Sequence, residues 1–331
     1  MSSYKLKSHS RTGANDESLD SLLRPSSWQE YVGQDRIKQN LKIILTASQK
    51  RKEPSDHLLF YGQTGLGKTT LAHLVAKEMR ANLKITSGPV LERAGDLAAI
   101  LSNIENDDIL FIDEMHRLNK NIEEILYPAM ESRKLRLVVG KGMGSRMLTL
   151  DLPPFTLIGA TTRLSLLSSP LRSRFGAIFR LDYYSVENIE SVIQRSAHLM
   201  NLSVAPEAIA LLARASRFTP RVANRLLRRS RDFVEVHNLK IINQNVVEKV
   251  LKLLEIDRLG LELIEKRLLE IIINKFNNRP VGINALTAAL NEEKGVIEEI
   301  YEPYLMKLGF LERTPSGRRA TRVAHKHCKI K

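Results

Sequence analysis

Between His57 and Tyr184 the chain alternates short, near-continuous apolar runs with longer stretches of helical spacing. The runs fall at His57–Gly62, Leu83–Ser87, Asp108–Asp113, Phe155–Thr162 and Ala177–Tyr183. A strand wetted on one face alternates apolar and polar residues, whereas a continuous run marks a strand covered on both faces, as in a parallel sheet. Helical stretches such as Thr69–Arg80 and Asn121–Glu131 lie between the runs, which predicts repeated βαβ units and an α/β fold with helices on both sides of the sheet. Leu135–Leu152 breaks the alternation. It reads LRLVVGKGMGSRMLTLDL, two strand-like arms around GKGMG, and predicts a hairpin inserted before the fourth strand.

After Ser185 the strand signals stop. Residues 186–256 show three or four short amphipathic helical patterns, and three more follow at 258–276, 283–291 and 293–308. Two extended arms then meet at Pro315-Ser316-Gly317, a turn sequence, so that a hairpin is expected over Phe310–Val323. Three helices and a terminal hairpin make a winged helix. The expected division is a polar arm at 1–20, a large α/β domain at 21–184 with its hairpin at 135–152, a small all-helical domain at 185–256 and a winged-helix domain at 257–331.

Composition narrows the class. With 43% hydrophobic and 27% charged residues among 331, the chain has material for packed cores, which excludes wholesale disorder. A single cysteine, Cys328, allows no internal disulfide; MSSYKLKSHSRTG has no apolar signal segment, and no run approaches a membrane span. A cytoplasmic protein is expected. The net charge of +14 asks for an acidic partner without saying which.

Gly62-Gln63-Thr64-Gly65-Leu66-Gly67-Lys68-Thr69 matches the phosphate-loop pattern G-x-x-x-x-G-K-[ST], with a strand running in and a helix running out. Its glycines let backbone N–H groups converge on phosphate oxygens at a helix N-terminus; Lys68 reaches the β/γ-phosphates and Thr69 offers a hydroxyl to Mg²⁺. Ile109–Glu114 is an apolar strand ending in two acids. Alone, such a pair also serves as helix N-terminal charge. After a phosphate loop it fits hydrolysis, with Asp113 on Mg²⁺ and Glu114 as base for water. Phe155–Thr162 ends in hydroxyl residues, either an ordinary strand-end turn or, at Thr162, a contact to the attacking water. Ser169–Arg174 reads as a capped, Pro-started short helix carrying arginines, either a solvated basic helix or the source of an arginine for a neighbour's γ-phosphate. In Thr219-Pro220-Arg221 a cation opposes the helix dipole in the first turn, which calls for an anion nearby.

In this order, these elements resemble the AAA+ ATPases. More narrowly, LRP (23–25), TSGPVLERAGDLAAIL (86–101), LFIDEMHRL, EEILYPAME, DLPPFTLIGATTR, SPLRSRFG, TPRVANRLLRR and GFLERTPSGR resemble the RuvB family of Holliday-junction branch-migration motors, over about residues 20–325. The resemblance implies ATP and Mg²⁺ as cofactors, a homohexameric ring on double-stranded DNA at four-way junctions, and the partners RuvA and RuvC. It implies an adenine pocket with Leu23, Arg24 and Tyr184; a phosphate loop with Gly65, Lys68, Thr69 and Thr70; the acids Asp113 and Glu114; Thr162 as sensor; Arg174 as the finger; and Arg221 as the second sensor. Glu131, Ser132 and Arg133 occupy a nucleotide-proximal position. Lys294, Arg313 and Arg318 are the implied DNA contacts, and the 135–152 hairpin the docking arm for RuvA, although its apolar residues could equally pack on the sheet. Two departures stand out. Gln63-Thr64 replaces the family's usual two prolines, and Lys294 its usual arginine, which keeps charge but loses bidentate geometry.

Charge placement refines the partner. Residues 312–331 hold seven basic residues and one acid, next to the predicted wing, which suits tracking of a phosphate backbone. The seven arginines from Ala208 to Arg231 interleave with Leu and Val and read instead as a packed amphipathic surface and subunit interface. A DNA-translocating motor is therefore the leading expectation, with a clamp-loader-like ATP switch as the alternative. A protein unfoldase would carry an aromatic pore loop, and residues 62–110 contain no Phe, Tyr or Trp.

Overall fold

A computed structural model of the chain describes residues 21–139 and 146–328. The chain divides into two compact units: residues 1–191 with 219–221, and residues 192–218 with 222–331.

The first unit is built on a five-stranded parallel sheet of order β2-β3-β6-β1-β7, with β1 Leu58–Tyr61, β2 Leu83–Ser87, β3 Ile109–Asp113, β6 Thr156–Thr161 and β7 Ala177–Arg180. All five expected strands form, some shorter than the apolar runs that announced them. The three central strands are buried almost throughout, while β2 and β7 lie at the edges, and Ile85 and Ile178 are exposed there. Continuous apolarity is thus a property of the interior strands, covered on both faces. One large core packs the helices Ala94–Ser102 and Lys120–Ser132 against the sheet through Leu97, Leu101, Leu110, Ile112, Ile122, Leu126, Leu157 and Phe175.

The inserted hairpin is present as β4 Lys134–Val139 and β5 Arg146–Asp151, antiparallel, with Leu135 opposite Leu150 and Leu137 opposite Leu148. Its GKGMG tip lies outside the described residues. Its apolar residues divide: Leu135 is buried and Leu137 packs on the core, while Met147, Leu148 and Leu150 are exposed.

In the second unit the helices Pro206–Ala215, Pro220–Val236 (from residue 222 onward) and Gln244–Leu253 bury Leu212, Leu226, Leu227, Val247 and Val250. Arg225, Arg229 and Arg231 pair with Glu262, Asp232 and Glu235 at the surface, in keeping with an amphipathic helix whose arginines stay wet. Farther along, the helices Leu263–Glu270 and Ile283–Leu290 and a composite helix over 294–307 enclose Leu268, Ile272, Leu286, Ile297 and Leu305, covered by the hairpin of β8 Leu311–Thr314 and β9 Gly317–Ala320. The composite helix widens to π geometry at Ile297–Tyr301, one turn before Pro303, whose missing N–H leaves the helical ladder incomplete there. Gly317 sits at φ +137°, where an added Cβ would fall 2.4 Å from the Val281 carbonyl oxygen, so the wing's turn requires glycine.

The wing is shorter than the expected Phe310–Val323. The chain leaves β9 at Ala320, Thr321 accepts the Ala324 N–H as an N-cap, and Arg322–His327 is a helix. The Thr321 hydroxyl at this cap is the local signal that an extended reading of RRATRV passes over.

One buried ion pair ties this unit together. Arg217 donates bidentately to fully buried Glu265 at 2.6 and 2.9 Å, and its guanidinium lies 4.4 Å from the Tyr304 ring centroid. Burial pushes the Glu265 carboxyl up, against the pull of Arg217. Glu265→Ala leaves a mostly buried guanidinium unpaired and should destabilise by about 3 kcal/mol, read as a lower denaturant midpoint.

Candidate functional site

The phosphate loop occupies the carboxyl end of β1. Gly62, Gly65 and Gly67 have φ of +148°, +83° and +97°. A Cβ on Gly67 would come 2.8 Å from the Tyr31 hydroxyl, and one on Gly65 would come 2.9 Å from the Arg221 Cβ. The loop is therefore pinched between two neighbours, and glycine is the residue that fits there. Arg221, at the start of its helix, is brought against the loop. Beneath the loop, the buried phenols of Tyr31 and Tyr184 both donate to the Leu66 carbonyl, at 3.5 and 3.3 Å. Burial pushes the Tyr184 phenol up to about 12 and raises that of Tyr31, so both stay protonated donors. The Tyr184 ring also closes on Gly33, whose φ of +73° and lack of Cβ permit the approach.

Lys68 opens the helix Lys68–Met79 and folds its ammonium back onto the loop, donating to the Gly62 and Gln63 carbonyls at 2.8 and 2.9 Å. Burial lowers its pKa to about 8, opposed by Asp113 and Glu114. The Thr69 hydroxyl donates to Asp113 Oδ2 at 3.3 Å, bringing together the two groups assigned to a cation. Asp113 Oδ1 accepts the Glu114 N–H at 2.8 Å, and Glu114 turns out of β3 at φ +47° toward Arg117, 3.3 Å from its carboxylate. Thr162 follows directly on β6, the strand beside β3, and is half-buried. Leu23 is buried, and Arg24 reaches His73 on the helix that leaves the loop. Burial and the Arg24 charge lower the His73 pKa. Thr70 lies in the first turn of that helix, half-buried.

Arg174 lies elsewhere. β1 and β7 are parallel with Leu58 opposite Ala177, and the Gly176 N–H donates to the His57 carbonyl. Arg174 therefore sits at the amino edge of the sheet, with roughly 16 Å of strand between that edge and the phosphate loop at about 3.3 Å per residue. Glu131 shares this edge. His57 Nδ1 accepts the Leu157 N–H at 2.8 Å while its Nε2 donates to the Met130 carbonyl at 3.2 Å, and burial lowers its pKa. This neutral histidine fixes the end of the helix Lys120–Ser132, where Glu131 pairs with Arg174 at 2.9 Å. Ser132 turns its hydroxyl back to the Pro128 carbonyl, and Arg133 ends the helix at φ +55°, exposed.

Sequence reasoning missed His116, whose Nδ1 lies 3.1 Å from the Thr161 hydroxyl and so links the turn after Glu114 to the end of β6. Its position two residues past the acidic pair was the one available signal.

On the wing, Arg313 and Arg318 converge on Glu302, which is fully buried. Arg313 Nε donates to it at 2.7 Å, and Arg318 donates to it at 2.7 Å and to Glu298 at 2.9 Å. The Arg313 side chain remains 48% exposed and that of Arg318 only 14%. Lys294 is exposed at the start of its short helix. Arg318→Ala should therefore lower stability by about 2 kcal/mol as well as weaken DNA binding, because it leaves Glu302 half-paired. Arg313→Ala also removes a partner of Glu302, so it too should lower stability, by less because its side chain is 48% exposed, while it weakens binding and reduces the salt slope by about one unit, read by titrations at several salt concentrations.

A glycine-pinched phosphate loop, a threonine in the first turn of the helix behind it paired with an aspartate at a strand end, a water-facing glutamate and an arginine against the loop define a P-loop nucleotide-binding ATPase of the AAA+ type, here followed by a winged helix. Family comparison is consistent throughout the chain. The Holliday junction DNA helicase RuvB P-loop domain matches residues 23–181, the RuvB AAA lid domain 184–257, and the RuvB C-terminal winged helix domain 258–329. The Holliday junction branch migration complex subunit RuvB of Dehalococcoides mccartyi is 52% identical over 96% of this chain and 90% of its own length. A structure of the Thermotoga maritima RuvB Holliday junction branch migration motor is 46% identical, with a TM-score of 0.84 over 94% of this chain and 99% of that one; a mutant of the same protein gives 0.85 over 93% and 99%. The chain belongs to the RuvB family.

Proposed function

We propose that this chain hydrolyses ATP at sites shared between neighbouring copies in a hexameric ring, and that the ring drives double-stranded DNA through a four-way junction. The observation that carries the shared site is the placement of Arg174 at the amino edge of a sheet whose phosphate loop is at the carboxyl edge. An arginine so far from its own loop meets a nucleotide most directly in another subunit, and repeated head-to-tail contacts of that kind close into a ring.

Nucleotide and cation fit the residues present. The loop's pinched, positive-φ glycines suit a backbone that must approach phosphate oxygens closely, and Thr69 with Asp113 offers an oxygen pair suited to Mg²⁺. When bound, the cation supplies charge neutralisation across the β- and γ-phosphates. Lys68 exchanges two carbonyl acceptors for phosphate oxygens, Glu114 takes a proton from the attacking water, and Thr162 helps orient that water. Arg221 holds the nucleotide from the helical side of the loop, and Arg174 of an adjacent copy balances the charge that develops on the γ-phosphate. Leu23, Arg24 and Tyr184 enclose the base.

Because the free Lys68 titrates near pH 8, nucleotide affinity should fall as pH rises past that value. Binding favours the ammonium, so it takes up a proton above pH 8, and the dissociation constant should rise up to about tenfold per pH unit there. Fluorescent-nucleotide titrations between pH 7 and 9.5 measure this.

Lys294, Arg313 and Arg318 present charge to the phosphate backbone rather than to base edges. The exposed Met147, Leu148 and Leu150 support docking of RuvA on the inserted hairpin. RuvC is a partner by family resemblance, and the compartment that holds DNA, ATP and these partners is the bacterial cytoplasm. Among the described residues no helix is long and apolar enough to cross a membrane. The test is branch migration of a synthetic four-way junction with ATP and Mg²⁺, with and without RuvA. Strand exchange that requires ATP supports the reading; ATP turnover with no exchange in the presence of RuvA sinks it.

A further inference from the structure

Glu123, Tyr127 and Glu131 recur at intervals of four and so share one face of the helix Lys120–Ser132. That face meets the short segment carrying Arg174. The Tyr127 hydroxyl lies 2.9 Å from the Ser168 hydroxyl and donates to the Glu123 carboxylate at 3.3 Å. Ser168 in turn accepts the Leu171 N–H as the N-cap of the helix Ser169–Arg172. One tyrosine thus anchors the start of the arginine helix. Its ring also lies under the arginine itself, with the Arg174 guanidinium carbon 4.5 Å from the ring centroid. Glu131 completes the arrangement at 2.9 Å, and the Pro170 carbonyl accepts a further hydrogen bond from Arg174.

We propose that Tyr127 is a positioning residue for the arginine finger and that Glu131 is its latch, together parking Arg174 on its own subunit until a neighbour's nucleotide draws it out. The proposal rests on the reading of Arg174 as the finger in trans. Two features favour release. Glu131 is 58% exposed, and an ion pair so open to solvent is weak and readily exchanged for a phosphate. In addition, Arg174 Nε is buried with no hydrogen-bond partner among the described residues, so the parked arrangement leaves a donor unmet. Glu131 also belongs to a segment that the family resemblance puts close to nucleotide. An acid there repels phosphate, and holding the finger gives it a use.

The test compares full-length variants by steady-state ATP hydrolysis and by thermal melting without nucleotide. Tyr127→Leu should lower kcat about tenfold with KM for ATP changed less than about twofold, and Tyr127→Phe, which keeps the ring, should restore at least about half the rate. In the Arg174→Ala background Tyr127→Leu should cause no further loss, because its effect runs through the arginine. Without nucleotide, the shifts in melting temperature from Tyr127→Leu and Arg174→Ala should fall short of additivity by about 2 °C. Glu131→Gln should raise hydrolysis about two- to threefold at low ATP, since the latch is gone. A normal rate in Tyr127→Leu, additive losses in rate or melting, or a Glu131→Gln variant as inactive as Arg174→Ala would overturn the proposal. Normal hydrolysis by Arg174→Ala alone would instead overturn the finger reading beneath it.

Discussion

Arg174→Ala should bind ATP with nearly unchanged affinity and hydrolyse it at least about a thousandfold more slowly, the scale that an arginine supplied in trans contributes to phosphoryl transfer. Affinity survives because the groups around the nucleotide belong to the other edge of the sheet: the glycine-pinched loop, Lys68, the Thr69–Asp113 pair and Arg221. The rate does not, because charge building on the γ-phosphate loses its compensating cation. Mixing separates a shared site from a self-contained one. On the proposed shared site, Glu114→Gln subunits lack the base but keep the finger, and Arg174→Ala subunits lack the finger but keep the base. A mixed ring contains interfaces with both groups intact, so activity should return on mixing two inactive preparations. Failure to recover any hydrolysis, with rings shown to mix, would place the finger and the base in the same subunit.

Lys68→Ala should abolish nucleotide binding, so that titration with a fluorescent ATP analogue shows no saturation at concentrations about a thousandfold above the wild-type constant. The substitution removes the ammonium folded onto the loop and leaves the Gly62 and Gln63 carbonyls without that donor. Its effect on stability has the opposite sign. With a folded pKa near 8, below the usual lysine value, the buried ammonium is a cost to the free protein at neutral pH. The corresponding gain appears only as pH rises from about 8 toward the unfolded value near 10.5, where the folded chain holds fewer protons than the unfolded one. Lys68→Met, which keeps the stem, should therefore melt no lower than wild type at pH 7 while remaining unable to bind nucleotide. Wild-type turnover in either variant would remove the phosphate-loop assignment.

The parts of the site that lay open in the sequence share one property, that their residues are close in the chain. Gly62 to Thr69 is a single turn between a strand and a helix, and its glycines declare a loop that must approach its neighbours closely. Asp113 and Glu114 are marked by the apolar strand before them. The wing was legible as two arms and a Pro-Ser-Gly turn, and it ended early at Thr321 because a cap is weak evidence beside a run of six extended-looking residues. Ion pairing was not legible. A surplus of seven basic residues over one acid in the last twenty positions said nothing of Glu302, one helix away, which holds two of those arginines. Nor did the run EEILYPAMES announce that Tyr127 would lie under Arg174, forty-seven positions later.

By itself, then, the sequence determined the parallel α/β class, the phosphate loop, the acidic strand end and the winged-helix ending, since each is written in local periodicity and in residues needed within one turn of one another. Only the tertiary structure decided which groups face which. It set Arg174 at the opposite edge of the sheet from Lys68, placed Arg221 against Gly65, and turned the wing's arginines onto a buried acid. Those relations depend on strand order and on packing between segments far apart in the chain, and a charge's partner is fixed by distance in space, which no spacing along the sequence encodes.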